Sequence, residues 1–353
     1  MAKRDDIQRL HRECFGHSPE YLDMYFSRIY TDDTALVRYA DDRPVSTLTM
    51  EAYSLLFHGS LLPVTLISSA GTSRHYRGRG FMTELVSEAL HTARQRGDML
   101  VAVAPPRRWL YFFFDRLGFS TIFLSDTRRF TSYHPFPTIH SYTPLSNPYA
   151  PEVFDALHSF ELARPGGIVH TRRQITDYLD RLAFEPQGCF VAVGREDTPV
   201  AGMAWATATD RLATVYEAIG VDDDAVDGAL QALRLHYGPR AIQYLAPTFG
   251  VTGRHLFARA MARIVNPLSA LEAIAKANPR LRSTIRLSDS VIPENTGWYT
   301  IADGRCTFTT EPDTTVRHDL DVDVDTLARI LFSSPAMSDV LGIPTQRTHI
   351  SLI

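Results

Sequence analysis

Cysteine is scarce in this chain: Cys14, Cys189 and Cys306 are the only three among 353 residues. They stand too far apart for a metal-ligand spacing, and a scattered odd number makes no disulfide framework. Such usage fits a reducing compartment, so a cytoplasmic protein is expected. Long apolar runs are also missing. No segment reaches the roughly 18 uninterrupted apolar residues that a membrane span requires. The opening Met-Ala-Lys-Arg-Asp-Asp has no apolar stretch behind its charges, so no signal peptide is expected. Charge of one sign is not in excess either: 36 Lys and Arg against 40 Asp and Glu give a net charge of −4. That balance offers no electrostatic case for nucleic acid or an anionic membrane as partner. The histidines show no His-x-x-x-His spacing, and the alternating Asp319, Asp321, Asp323 and Asp325 lack the Gly and terminal Glu of a calcium loop. No metal is expected, and the aspartates read as an exposed strand and a helix N-cap.

Against these absences, the composition is that of an ordinary globular chain, 44% hydrophobic and 22% charged, long enough for two or three domains. Its most informative stretch is 61–96. An apolar run, Leu62–Ile67, passes through Ser68-Ser69-Ala70-Gly71-Thr72-Ser73 into Arg77-Gly78-Arg79-Gly80-Phe81-Met82. Met82, Leu85, Val86, Ala89, Leu90 and Ala93 then recur at helical spacing, and Gly97 suits the position after the helix. Strand, basic glycine loop and amphipathic helix in that order make an anion site. The first N–H groups of a helix lack partners and point out of its positive end. Gly78 and Gly80 permit close backbone approach, Arg77 and Arg79 add charge, and a pyrophosphate is the expected guest.

Around this stretch the pattern predicts an α+β layout, with a strand–helix–strand unit inside a mostly antiparallel sheet. Helices are expected within 5–30, with Ser18 as N-cap and Pro19 behind it. Strands are expected at 35–40, 45–57, 61–68, 99–104 and 118–123, and an aromatic helix at 107–117. A proline-punctuated linker covers 135–146. Residues 147–265 then repeat the first domain's element order without an Arg/Gly loop. The final part, 266–353, is expected to start a helix at Asn266-Pro267, to form strands at 281–287, 297–302 and 305–310, and to add helices at 324–332 and 335–341.

Arg77-x-x-Gly80-x-Met82, with Leu117-Gly118-Phe119 downstream, resembles the GCN5-related N-acetyltransferase (GNAT) family. Met82 stands where that family usually has Gly or Ala, a departure shared by its Eis-like (enhanced intracellular survival) branch. The strand pair closed at His58-Gly59, and Leu287–Tyr299 as the opening of a sterol-carrier-like domain, are similar to that branch as well. The resemblance implies a GNAT domain at 1–134, a degenerate GNAT domain at 147–265 and a sterol-carrier-like domain at 266–353. It implies acetyl-CoA as cosubstrate, with its pyrophosphate on backbone N–H groups from Arg77 through Met82 and its pantetheine arm paired along Ser68, Ser69, Ala70 and Gly71. It also implies N-acetylation of a small-molecule or peptide primary amine by direct transfer, and a homo-oligomer.

The same resemblance raises a difficulty. The family's usual proton-donating Tyr, four residues before the Gly of Gly-Phe, is Phe114 here. Tyr111, about one helical turn earlier, is the substitute acid, and the chain's terminal carboxylate on Ile353 is the base that an Eis-like plan implies. Trp109, Phe113 and Phe114 are candidates for the acceptor wall, in a set where core packing competes with that role. Glu51 reads as a solvent-facing strand carboxylate in preference to a base. The competing function is a non-catalytic acyl-CoA-binding protein or sensor, motivated by Phe114.

Overall fold

A computed structural model describes residues 3–248, 256–311, 318–333 and 342–350. In chain order, the first part builds α1 (Lys3–Phe15), α2 (Pro19–Met24), β1 (Ala35–Ala40), β2 (Arg43–Phe57), β3 (Ser60–Thr72), α3 (Phe81–Arg96), β4 (Leu100–Val103), α4 (Arg108–Asp115) and β5 (Ser120–Phe130). The middle adds β6 (Thr143–Pro144), α5 (Pro151–Ala163), β7 (Ile168–Val169), α6 (Arg172–Leu182), β8 (Cys189–Arg195), β9 (Thr198–Ala208), β10 (Leu212–Gly220), α7 (Asp223–Tyr237), β11 (Ala241–Ala246) and β12 (Leu256–Ile264). The last part adds α8 (Pro267–Ala277), β13 (Ser283–Ser288), β14 (Gly297–Ala302), β15 (Arg305–Thr309), β16 (Leu320–Asp323) and α9 (Val324–Phe332). The helix expected at 335–341 lies outside the described residues. Among the described residues no helix is long and apolar enough to cross a membrane.

Contacts divide the chain into two units, Met1–Phe123 with Ala258–Thr348, and Leu124–Phe257 with His349–Ile353. The first unit's main sheet runs β1-β2-β3-β4-β12. Only β3 and β4 are parallel in it, joined by α3 as the crossover. The hairpin between β2 and β3 turns on His58 and Gly59, both at positive φ (46° and 74°), as a two-residue turn matched to strand twist requires. Ser18 caps α2 by accepting the Tyr21 N–H at 3.2 Å, with Pro19 next in line.

Helix α3 buries the stripe that its spacing predicts. Leu85, Val86, Ala89, Leu90 and Ala93 are fully buried against Leu48, Met50, Ile67, Val101 and Val103. Each large side chain so buried contributes roughly 1.5–3 kcal/mol. Gly97 ends the helix in the left-handed region, its N–H bonding back to Ala93 and Arg94 carbonyls. The opposite face of the sheet carries α1, α2 and the helical turn Tyr25–Ile29 that follows, packed through Ile7, Leu22, Tyr25 and Phe26 onto Ala35 and Val37. The same unit holds a four-stranded sheet, β15-β14-β13-β16. There Asp323 caps α9 through the Thr326 N–H at 2.7 Å, as the aspartate run predicts.

The second unit pairs β11-β10-β9-β8-β6 with the portion of β5 beyond Phe123. Its β10 and β11 are parallel and flank α7. No Arg/Gly loop precedes α7. Instead the Asp222 carboxylate accepts the Ala225 N–H at 2.8 Å, so an acidic side chain occupies the place an anion would need. The proline-rich segment expected as a linker is packed against this unit. Phe136 is 1% exposed in its core, and Asp224 of α7 accepts the Ile139 N–H at 2.6 Å. Apolar and polar anchors between the prolines hold it there.

Candidate active site

Strands β3 and β4 run together only from Val64↔Leu100 to Ile67↔Val103. Strand β4 ends there, while β3 continues for five residues to Thr72. On its other side β3 stays paired with β2, but the register breaks: Thr49 faces Ser68, and Thr47 faces Gly71. Leu48 is therefore opposed by two residues, Ser69 and Ala70, a bulge that turns the backbone. Ser69 sits in the left-handed region at φ 48°, a costly conformation for a serine and of the kind that collects at functional sites. Ser68, Ser69, Ala70 and Gly71, the segment expected to pair with a pantetheine arm, thus form a bulged edge beyond the end of β4. Alternation and spacing in the sequence predict the strand to Ser68 but carry no sign of the bulge that lengthens it.

This edge leads through a turn at Arg74–Tyr76 to the start of α3. Gly78 (φ 75°) and Gly80 (φ 92°) are both left-handed, and a Cβ on either would meet nothing within 4 Å. Glycine is needed there for conformation, and the space over it is open. Gly80 is the N-cap of α3, and no side chain caps the helix. The backbone of Phe81 and Met82 begins its first turn. Arg77 donates to the Thr72 carbonyl at 3.0 Å, tying the loop to the strand end, and Arg79 lies over the Tyr76 ring at 5.1 Å. Met82 packs against the core beneath α3, so its bulk at a position usually held by Gly or Ala is directed inward. The cosubstrate's chemistry fits this set of residues: uncapped helix N–H groups and two arginines for phosphates, and an open strand edge for an amide-bearing arm.

The aromatic helix α4 separates its candidates. Phe114 is 3% exposed, packed edge-on to Phe113 and Phe119 in the core beside α3. It has neither an acidic proton nor an open surface. Phe113 is half-buried against the same core, whereas Trp109 is 66% exposed. Tyr111 is half-buried. Burial pushes its phenol up and Arg259 acts the other way, so the hydroxyl keeps its proton at neutral pH, as an acid must. Ile353 lies outside the described residues. Cys14, whose side chain packs over Gly71, has its thiol pushed up to about 11 by burial and Glu13 against the pull of Arg77.

Glu51 is not the solvent-facing carboxylate expected. It is half-buried, and its two oxygens accept the Ser68 hydroxyl at 2.5 Å and the Tyr53 hydroxyl at 3.1 Å. Sequence spacing places Glu51 and Tyr53 on one face of β2, but only the register of β3 brings Ser68 beside them.

A parallel strand pair that parts before a glycine loop and helix is the arrangement that the resemblance implies. Residues 2–122 match the family model described as an acetyltransferase (GNAT) domain. No curated protein matches the sequence. Eis1 from Mycobacterium abscessus is similar over 99% of this chain and 97% of its own, at 16% identity and a TM-score of 0.72. A conserved protein of unknown function from Enterococcus faecalis V583, described as a probable N-acyltransferase, is similar over 98% of this chain and 95% of its own, at 16% identity and a TM-score of 0.77. A GCN5-related N-acetyltransferase from Kribbella flavida covers 99% of this chain and 96% of its own, at 17% identity and a TM-score of 0.72. The chain therefore has an α+β GNAT fold, and its residues 2–122 match a GNAT acetyltransferase domain.

Proposed function

We propose that this chain is an acetyl-CoA-dependent N-acetyltransferase that acetylates a primary amine of a small molecule or peptide by direct transfer. The observation that carries this reading is the continuous path from the bulged edge Ser68–Thr72 to the uncapped, glycine-lined start of α3. In the reaction the amine nitrogen bonds to the thioester carbonyl carbon, the carbon–sulfur bond breaks, the nitrogen gives up a proton and the departing thiolate takes one. Tyr111 is the proposed proton donor to sulfur, and the Ile353 carboxylate the proposed base. The proposed organisation is a GNAT domain, a degenerate GNAT domain and a sterol-carrier-like domain, in a cytoplasmic homo-oligomer.

Calorimetry with acetyl-CoA, followed by thiol release over a panel of amines, tests the reading. Binding and amine-dependent thiol release are expected. Absence of binding to acetyl-CoA and to related acyl-CoA esters would overturn it. Within that assay Tyr111→Phe should lower kcat roughly tenfold or more while acetyl-CoA affinity holds, since general acid catalysis contributes about 10²–10⁴-fold and a thiolate leaves readily.

The buried position of Phe114 supports a second reading, a protein that binds acyl-CoA without turning it over. Binding with no thiol release on any amine is its signature. Phe114→Tyr does not separate the two readings. At 3% exposure the added hydroxyl enters the core, and about 1–3 kcal/mol of stability should be lost with no gain in rate, as thermal melts and the same thiol assay would show.

A further inference from the structure

We infer that the first unit carries a second binding site, at the turn after α4, for a small zwitterion whose carboxylate meets Arg263 and whose ammonium meets Asp115. The site is independent of acetyl transfer. It begins with an uneven ion pair. Arg263, on β12, is 1% exposed, and its Nη2 donates to the Asp289 carboxylate. Among the described residues its Nε and Nη1 have no partner. Asp289 cannot serve them as well. It also accepts the Val291 N–H at 3.0 Å, the Ile292 N–H at 2.9 Å and the Asn295 side-chain amide at 3.0 Å. Four donors already share it, which is near the limit for a carboxylate. Burial lowers the pKa of the guanidinium against the opposing pull of Asp289. Buried N–H groups on a cation are costly without an acceptor, so this arrangement calls for a second one.

Gly118 keeps room for that acceptor. It holds φ 76°, and a Cβ on it would stand 3.4 Å from Arg263 Nη1, 3.3 Å from the guanidinium carbon and 3.4 Å from Val324. All three residues line one cavity of about 410 Å³, which opens at the surface and has space for more than a bridging water. A carboxylate seated over Gly118 meets Nη1 with a charge-assisted bond. The rest of the lining decides what else the guest carries. Arg263 and Arg116 face Asp115, Asp289, Asp323 and Asp325, so the cavity is acidic on balance and repels a simple anion. Asp325 is engaged by Arg329 at 2.6 Å and by the Ser120 hydroxyl, and Asp323 caps α9. Asp115 is exposed, and among the described residues its carboxylate has no partner. An ammonium on the guest turns the repulsion at Asp115 into attraction, while the guest's carboxylate supplies what Arg263 lacks.

Calorimetry on the full chain tests the site with glycine, acetate and methylamine as probes. Glycine should bind, and acetate and methylamine, which each carry one of its two charges, should bind at least about tenfold more weakly, the scale of one charge-assisted bond. Asp115→Asn removes the charge from an exposed side chain. It should weaken glycine roughly tenfold or more and leave acetate within about twofold. Gly118→Ala puts a methyl group against Nη1 and should abolish glycine binding, with thermal melts reporting whether the variant folds. If it does not fold, Asp115→Asn carries the test. Acetyl-CoA affinity should hold in Asp115→Asn, which separates this site from the glycine loop before α3. Absence of glycine binding, acetate binding as tight as glycine, or glycine binding unchanged by Asp115→Asn overturns the assignment.

Discussion

Gly80→Val should weaken acetyl-CoA binding at least about tenfold and leave the fold intact. Gly80 holds φ 92° and ψ −14° at the N-cap of α3. An L residue in the left-handed region costs roughly 1–2 kcal/mol, and a β-branched one is an outlier there. Nothing lies within 4 Å of the added Cβ, so the strain is not compounded by a clash. The loop relaxes by turning its backbone, which swings the first N–H groups of α3 away from a shared target. A loss of 1.4 kcal/mol is about tenfold in affinity, and the side chain standing in the phosphates' path adds to it. Gly97→Val is the matched control. Gly97 is also left-handed (φ 84°), at the far end of the same 16-residue helix, roughly 24 Å away. It should lose comparable stability with its acetyl-CoA affinity unchanged. Calorimetry and thermal melts on both variants make the comparison. Wild-type affinity in Gly80→Val would remove α3 as the phosphate site.

Glu217→Ala should cost about 3–5 kcal/mol of stability, the usual result of removing one partner from a buried ion pair. Glu217 is fully buried on β10, and Arg164 reaches it with two parallel bonds of 3.0 and 2.7 Å. The His349 ring lies 3.0 Å from the same carboxylate. Burial by itself would raise the Glu217 carboxyl, but the Arg164 and His349 charges outweigh it and hold the group well below the ordinary carboxylate range. A depressed folded value contributes stability that is fully present above the unfolded glutamate pKa of about 4.3 and is lost as pH falls through the folded value. Wild-type stability should therefore hold through neutral pH and decline in acid, whereas the Glu217→Ala curve should start lower and fall less. Denaturant titrations from neutral to acid pH measure both slopes. The His349 backbone N–H also donates to the Gly166 carbonyl at 2.8 Å, so this cluster fixes the chain just before its last residues. Faster hydrogen exchange at His349 in the variant is the accompanying sign.

The parts of this molecule legible in its sequence are those whose causes lie within a turn or a helix length. Apolar spacing over 82–93 determines which face of α3 is buried, and Gly97, Ser18 and the His58-Gly59 pair mark ends and turns through their own backbone preferences. The glycine loop before α3 is legible because strand, loop and helix are consecutive, which is what led to the expectation of an anion site. The rest is decided by contacts between distant residues. Ser68 reaches Glu51 across 17 positions, Arg164 reaches Glu217 across 53, and His349 reaches Glu217 across 132. Periodicity places Glu51 on a strand face, but whether water or a hydroxyl lies over that face depends on the register of β3. Phe114 follows the same rule: its position in the motif is plain from sequence, while its burial depends on how α4 meets α3 and Phe119. Local chain chemistry by itself determined a consecutive strand, glycine loop and amphipathic helix. The tertiary structure alone decided that a bulge opens the adjoining edge and sets an oriented carboxylate beside it, because strand register and packing belong to pairs of segments that no local pattern encodes.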